Sequence, residues 1–230
     1  MGSREENREA MRQCILGAAW VLFAGRGFDD VSMADIAAAA GVSRATVFNH
    51  FSTKHSIVEA LTEGVLDFYR GMLDLALADG RTPTTALMRA LFEQMGAGIE
   101  SDRRFFRAIF REIASLHLGY DEGGPGQRAD ADNQARLIEL VRRGQERGEL
   151  STAHSPEAIA SAFGSLANGT ITHWLYDDPG GSLVPRMRAA VEVLLGPIET
   201  SPSRPRRSLP NITPERPPLP DGLLVEEVLQ

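Results

Sequence analysis

The residues with the clearest chemical use lie between positions 32 and 54. Ser32 stands three residues before Asp35, which is the spacing of a capping box with Asp in place of Glu and predicts the start of a helix. Gly41 permits a tight turn, and Ser43 is placed to cap a second short helix. Two short helices joined by such a turn form a helix-turn-helix, whose second helix fits the major groove of DNA. The predicted chemistry is therefore recognition of base edges and phosphates.

The second predicted helix leaves polar side chains on its outer face. The outward residues are Arg44, Thr46, Asn49 and His50. Their mixture of hydrogen-bond donors and acceptors suits base edges and phosphate oxygens. Val42, Val47 and Phe51 are interpreted as the core of this small domain.

The distribution of charge also favours a DNA-binding surface here. The 230-residue chain has a net charge of −7, which argues against a protein that coats nucleic acid or an anionic membrane by bulk charge. Residues 1–56 hold six basic and six acidic side chains, whereas residues 57–196 hold 14 basic and 20 acidic ones. Residues 36–58 contain no acid, and Arg44 and Lys54 make this stretch locally positive. We therefore expect the acid to belong to the rest of the molecule.

Residues 23–54 resemble the amino-terminal domain of the TetR (tetracycline-repressor-like) family of bacterial transcription regulators, in the run FAGRGFDDVSMADIAAAAGVSRATVFNHFSTK. The resemblance implies that residues 43–50 form the recognition helix, with some side chains near the DNA backbone and Arg44, Ala45 and Asn49 reaching bases. The family usually has Tyr where Phe48 stands, so a hydroxyl that commonly meets a phosphate is missing. The predicted DNA-contacting residues are Ser32, Ser43, Arg44, Ala45, Thr46, Phe48, Asn49, His50 and Lys54.

The elements that must position these residues are all predicted to be helices, because apolar residues recur at spacings of three and four. The fold class is all-α, with a three-helix helix-turn-helix domain over residues 1–52 and a helical effector-binding and dimerisation domain over residues 53–196. A Pro-rich carboxyl-terminal tail over residues 197–230 follows. The predicted helices span about 7–25, 32–40, 43–49, 53–78, 84–99, 102–118, 127–147, 155–176 and 183–195, and residues 119–126 are predicted to form a loop.

The longest run without charge, residues 158–175, has the length of a membrane helix. Polar Ser, Thr, Asn and His side chains are spread through it, and each would need a partner in hydrocarbon, so we interpret it as a helix between protein surfaces. Its small-residue face permits close approach of a second subunit. With residues 183–195 it predicts two helices per chain and a four-helix bundle per dimer. We expect a homodimer through residues 155–176 and 183–196; a monomeric helical core is the alternative.

Residues 84–147 carry many Phe and Met side chains, and periodicity alone predicts only that these are core. In the TetR family this region encloses a ligand pocket, and the composition favours an apolar or aromatic effector. Entry of that small-molecule effector would move the fourth helix and change the spacing of the two DNA-reading heads. The candidate ligand-binding residues are Phe92, Met95, Phe106, Ile109, Phe110, Ile113, His117, Val141, His173 and Trp174.

Motifs for other chemistry are missing from the sequence. The five His show no metal-ligand spacing, and we find no catalytic constellation or phosphate loop, so we expect no enzyme, no cofactor and no metal. The single cysteine, Cys14, excludes an internal disulfide and fits a reducing cytoplasm. The sequence therefore predicts a cytoplasmic, ligand-responsive repressor that binds a palindromic operator. A helical enzyme and a helical interaction module without DNA binding remain as alternatives.

Overall fold

The computed structural model describes residues 2–117, 125–177 and 180–200, which form helices and contain no strand. An isolated bridge joins Leu150 and Glu199. The all-α prediction is confirmed, and no helix among the described residues is long and apolar enough to cross a membrane. The helices are α1 (Gly2–Arg26), α2 (Met33–Ala39), α3 (Arg44–His50), α4 (Lys54–Ala78), α5 (Thr84–Ser101), α6 (Arg103–His117), α7 (Pro125–Glu146), α8 (Pro156–Tyr176) and α9 (Leu183–Leu195).

The predicted helix bounds agree with these to within two residues, with one exception. Helix α1 begins at Gly2, five residues before the predicted start, because its first turns are polar and carry no apolar stripe. The predicted loop over residues 119–126 is wrong at its end, since α7 begins at Pro125. Proline is favourable at the first position of a helix, because the N–H that it lacks would have no partner within the helix. The remainder of that loop and residues 201–230 of the predicted tail lie outside the described residues.

The tail boundary at residue 197 stays a prediction, but the first residues of the predicted tail make specific contacts. Ile198 is buried, and the Ser151 N–H donates to its carbonyl at 2.7 Å. The Thr200 N–H in turn donates to the Glu149 carbonyl at 3.1 Å. Residues 197–200 are therefore packed against the segment that follows α7.

The chain divides into two compact units. The first unit contains the described residues up to Gly64 together with Asp102–Ser115, so it holds α1, α2, α3, the beginning of α4 and most of α6. The second unit contains Val65–Ser101 and the described residues from Leu116 onward, which include the rest of α4 with α5, α7, α8 and α9. The predicted domain boundary at residues 52 and 53 stays a prediction, and the compact units differ from it by grouping the start of α4 with α1–α3.

The first unit is held by apolar side chains from all of its helices. Trp20 of α1 stacks on Phe105 of α6 with ring centroids 3.4 Å apart, and its indole N–H donates to the Asp102 carboxylate at 2.8 Å. Each fully buried side chain of this size contributes about 1.5–3 kcal/mol. Fully or almost fully buried residues are Ile15, Ala18, Ala19, Leu22, Phe23, Ile36, Ala37, Val47, Phe51, Ile57 and Leu61.

The second unit has its own core and its own ion pairs. Phe92 of α5 meets Phe163 of α8 edge-on, with ring centroids 4.2 Å apart. Arg89 bridges α9 and the segment after it, because its guanidinium donates to Glu192 at 2.7 Å and to Glu199 at 2.7 Å. These contacts fix α9 beside α5 within the unit.

Candidate nucleic-acid interface

Helix α2 begins with the predicted capping box. The Asp35 N–H donates to Ser32 Oγ at 3.2 Å, and the Ser32 N–H donates to Asp35 Oδ2 at 2.8 Å. The hydrogen bonds from Ser32 hold the pKa of the Asp35 carboxyl below its ordinary value, with a smaller contribution from Arg26. The helix start is therefore fixed by local chemistry, and Ser32 remains exposed at the surface.

The turn between α2 and α3 is built around Gly41. This residue has φ +67°, which disfavours residues with a side chain. The Val42 N–H reaches back to the Ala37 carbonyl at 3.0 Å and closes the end of α2. Because the turn is this short, the orientation of α3 follows directly from that of α2.

Helix α3 is anchored by one buried residue and one cap. Ser43 Oγ accepts from the Thr46 N–H at 3.0 Å and lies 2.8 Å from the Thr46 hydroxyl. Val47 is completely buried and Phe51, the carboxyl-terminal cap, is almost so. The predicted core roles of Val47 and Phe51 are thereby confirmed, while Val42 is half-buried.

The outer face of α3 carries the residues predicted to reach DNA. Arg44, Ala45 and Asn49 are exposed, and Thr46 and His50 are half-exposed. Within the described part of the chain, the Arg44 guanidinium has no hydrogen-bonded or ionic partner. Phe48 is 47% exposed, although phenylalanine is among the residues that are most often buried. The structure places these side chains together on one surface, and their contacts with DNA remain a prediction.

The electrostatic environment of His50 is shaped by a different helix. Partial burial lowers the pKa of His50 below its ordinary value, and the positive charges of Arg8 and Arg12 on α1 lower it further. Glu9 opposes them with a smaller effect. This environment therefore favours the uncharged form of the ring, which offers one donor and one acceptor.

Lys54 makes contacts that its sequence position did not indicate. Its ammonium donates to the carbonyl of Phe28 at 2.5 Å and to that of Asp29 at 3.3 Å, and it lies 4.2 Å from the centre of the Phe28 ring. Lys54 thus ties the start of α4 to the connection between α1 and α2. The expected contact of Lys54 with a phosphate stays a prediction, and two of its three N–H groups are engaged in this state.

The predicted ligand-binding residues are divided between the two units. In the first unit Phe106, Ile109 and Phe110 of α6 are buried. In the second unit the buried members are Phe92, Val141 and Trp174, and Met95 is half-buried. The side chains of Ile113 and His117 lie outside the described residues. The structure therefore confirms burial for most of the set, and its role in ligand binding stays a prediction.

The two polar groups expected to contact a ligand from α8 are already engaged. The side chain of His173 is 65% exposed, and its Nδ1 lies 3.1 Å from the Asp177 carboxylate one turn later. His173 therefore lies at the surface of α8, and its assignment to a ligand site stays a prediction. Trp174 is buried, but its indole N–H donates to the Gly181 carbonyl at 2.9 Å.

Sequence reasoning missed two features that bear on function. In the second unit Asn133 is 3% exposed; its Nδ2 donates to the Leu66 carbonyl at 3.0 Å, whereas its Oδ1 is buried and unbonded within the described residues. In the first unit the Arg12 guanidinium lies 4.8 Å from the centre of the Phe51 ring, beside the end of α3. The four-residue spacing of Arg8 and Arg12 was the available signal, but the contact itself depends on tertiary packing.

The described residues hold no group of three or more His, Cys, Asp or Glu side chains that could bind a metal ion. Cys14 is half-buried, and its Sγ lies 3.7 Å from the Ala40 carbonyl. This contact joins α1 to the end of α2.

Comparison with known proteins gives consistent matches. Residues 15–61 match the family model described as bacterial regulatory proteins, tetR family. An HTH-type transcriptional regulator of Mycobacterium bovis is 34% identical over 160 residues, covering 68% of this chain and 72% of the relative. The HTH-type transcriptional regulator TtgR of Pseudomonas putida is 26% identical over 210 residues, covering 87% of this chain and 97% of the relative.

A solved structure shares the fold along most of its length. SmeT, the repressor of a multidrug efflux pump of Stenotrophomonas maltophilia, has a TM-score of 0.69 at 21% identity, covering 86% of this chain and 97% of that one. At this identity the likeness supports the fold alone. The relatives in sequence are transcriptional regulators, and the family match over residues 15–61 includes the helix-turn-helix segment described above.

Proposed function

The chain belongs to the TetR family of bacterial transcription regulators, and from this premise we propose that it is a repressor that binds a palindromic operator as a homodimer. A small apolar or aromatic effector would release it from DNA. The observation that carries the proposal is the outer face of α3, where Arg44 and Asn49 are exposed on a stretch without acid. Bidentate contacts from Arg to guanine and from Asn to adenine are common in direct readout.

The proposed dimer rests on the uncovered faces of α8 and α9. The exposed side of α8 is a stripe of small or uncharged residues at spacings of three and four: Ser161, Ser165, Gly169, Thr172 and Tyr176. On α9, Val193 is 73% exposed, and Ala189 lies one turn before it. Small side chains let two helix backbones approach closely, and a second copy would cover Val193. This surface agrees with the predicted dimer segments 155–176 and 183–196.

Support for an apolar effector comes from the second unit and from relatives. Phe92, Val141 and Trp174 are buried there, with Asn133 Oδ1 as a buried acceptor that a ligand hydroxyl or amide could use. One structure of similar fold is a FadR repressor of Thermus thermophilus in complex with lauroyl-CoA, with a TM-score of 0.59 at 24% identity. Another is a SmeT–triclosan complex, with a TM-score of 0.68 at 21% identity. Triclosan is aromatic, and the lauroyl part of lauroyl-CoA is an apolar chain attached to a charged coenzyme A.

Operator selection from random-sequence DNA with the purified full chain tests the proposal. We expect an enriched palindrome, bound in a complex that weakens steeply with salt, and no comparable binding to a scrambled duplex of equal length. Arg44→Ala should relax the preference at the base that it contacts, while Arg81→Ala, an exposed Arg of the second unit, should bind as the unchanged chain does. Failure to enrich any sequence would contradict DNA recognition.

The effector is tested separately, on the complex with the selected operator. Triclosan and lauroyl-CoA are suitable probes of aromatic and acyl chemistry, each titrated into the complex while DNA anisotropy and protein melting temperature are followed. We expect at least one probe to raise the melting temperature of the protein and to lower operator occupancy. If neither probe raises the melting temperature of the protein or releases it from the operator, the proposal of an apolar or aromatic effector is wrong. The result on operator binding would be unaffected.

A further inference from the structure

Helix α1 carries a row of three arginines on one side. Arg4, Arg8 and Arg12 are spaced by four residues, so they follow one another along the helix with a rise of about 6 Å per step. Arg4 and Arg8 are exposed, and Arg12 is half-buried. The first turns of α1 are therefore a charged extension of the first unit.

The row begins beside the recognition helix. The Arg12 guanidinium lies 4.8 Å from the centre of the Phe51 ring, and Phe51 is the carboxyl-terminal cap of α3. Stacking of this kind fixes the plane of a guanidinium and leaves its edge free to donate hydrogen bonds. A second observation agrees with this placement, since the charges of Arg8 and Arg12 both depress the pKa of His50, the last residue of α3.

The charges of this row are available for a partner. No carboxylate among the described residues lies within ion-pair distance of Arg4, Arg8 or Arg12. Glu9, the acid next to the row in sequence, accepts a hydrogen bond from Gln13 at 2.7 Å. At about 100° per residue, Glu5 and Glu9 lie on one flank of the row, and Glu6 lies on the far face of the helix. The opposite flank carries no acid.

We propose that Arg8 and Arg12, extended by Arg4, bind phosphates of the operator backbone next to the groove that α3 enters. The occupant follows from the chemistry, because a guanidinium binds phosphate oxygens bidentately and a row of fixed spacing suits a chain of anions. Such contacts set the position of the protein on the duplex and carry no sequence information of their own. This inference rests on the proposed function, since it assumes that α3 reads an operator.

The helix-turn-helix itself carries little positive charge, and the arginines of α1 would add to it. Residues 36–58 supply only Arg44 and Lys54, and the Lys54 ammonium is held by the Phe28 and Asp29 carbonyls. The arginines of α1 thus supply phosphate-binding charge that α2 and α3 lack. A regulator with this arrangement depends on α1 for much of the salt sensitivity of its DNA binding.

The test is the salt dependence of operator affinity for Arg8→Gln, Arg8→Lys and the matched control Arg81→Gln, which removes the same charge from an exposed site in the second unit. We expect Arg8→Gln to flatten the plot of log affinity against log salt by about 0.9 per head, or about 2 per dimer. The base preference from operator selection should not change. Arg8→Lys should keep the slope, and Arg81→Gln should match the unchanged chain.

The outcomes separate this inference from the proposed function. The unchanged chain must first bind the operator specifically. If Arg8→Gln then shows the same slope of log affinity against log salt as the unchanged chain, phosphate binding by the α1 arginines is wrong, while the proposed regulator function is unaffected. A loss of slope in Arg81→Gln equal to that in Arg8→Gln would also overturn phosphate binding by these arginines, because the effect would then be one of net charge. Absence of specific binding by the unchanged chain would contradict both. Arg8 is exposed, so we expect Arg8→Gln to leave the helices folded, and circular dichroism of the variant checks this.

Discussion

The outer faces of α3 and α8 are both exposed, and residues 44–50 and 158–176 contain no acid. The two faces nevertheless carry different kinds of side chain. On α3 the exposed groups are long or polar side chains with several donors, as in Arg44 and Asn49. On α8 they are small side chains such as Ser165 and Gly169. An absence of acid therefore does not identify a partner. Donors that project far from the backbone suit base edges, whereas small residues suit another helix.

The same two helices differ in what keeps them folded. Helix α3 has seven residues and one fully buried side chain, Val47. Helix α8 has 21 residues and buries seven of them in the second unit. A short helix is unstable by itself, so α3 depends on its cap, its turn and its neighbours. The surface that we propose to read DNA is consequently the more fragile of the two.

The largest expected effect follows from placing a bulky charge on the α8 surface. Gly169 is exposed and has open space where a Cβ would lie, so Gly169→Arg fits the isolated chain but not a close helix pair. We expect the mass measured by light scattering to halve at micromolar concentration. Operator affinity should fall by about 100-fold or more, because linked heads bind far more tightly than single ones.

Gly71→Arg is the matched control for this change. Gly71 is also an exposed helical glycine of the second unit with open space around it, but it lies on α4. It should leave both mass and affinity unchanged. A dimeric Gly169→Arg protein with normal operator binding would show that the second copy lies elsewhere.

Removal of one base-contacting side chain should have the next largest effect. Asn49→Ala is expected to cost about 1–3 kcal/mol of discrimination, which corresponds to roughly 5-fold to 150-fold in affinity for the preferred base over others. The measurement is competition between the operator and duplexes changed at single positions. Unchanged preference at every position would contradict the assignment of Asn49 to base readout.

Much of this fold follows from local chemistry, and that part could be predicted from the sequence. The capping box of Ser32 and Asp35 and the turn at Gly41 depend on residues within ten positions of each other. The helix bounds follow from apolar spacing, which α1 shows only after its first turns. The start of α1 at Gly2 was missed for that reason, and with it the position of Arg4 on a helix.

The contacts that were missed all join distant segments. Lys54 is 26 residues from Phe28, and Arg12 is 39 residues from Phe51, so no local pattern reports that these groups meet. His173 and Trp174 differ although they are adjacent in sequence. Neighbouring residues on a helix point about 100° apart, so Trp174 is buried while the His173 ring faces solvent.

Matched changes of two caps should sharpen the contrast in stability. Ser43 Oγ accepts from the Thr46 N–H at 3.0 Å, and Ser155 Oγ accepts from the Ala158 N–H at 3.2 Å. Each Ser→Ala change is expected to lower the free energy of unfolding by about 0.5–2 kcal/mol, measured in urea. Only Ser43→Ala should also weaken operator binding, because only that cap holds the reading helix. Equal loss of binding in both variants would contradict this division.

The smallest expected effect is a pH dependence at the end of α3. Burial and the charges of Arg8 and Arg12 depress the pKa of His50, against the smaller opposing effect of Glu9, so the unfolded chain takes up a proton at a higher pH than the folded one does. Protonation therefore favours unfolding: the stability present above the unfolded pKa of about 6.5 is lost as the pH falls through that value toward the folded pKa. We expect the urea midpoint to drop more between pH 7 and pH 5 for the unchanged chain than for His50→Gln. Equal drops, or an NMR titration of His50 with a pKa above its ordinary value, would show that the arginines of α1 do not act on α3, and would weaken the phosphate row proposed there.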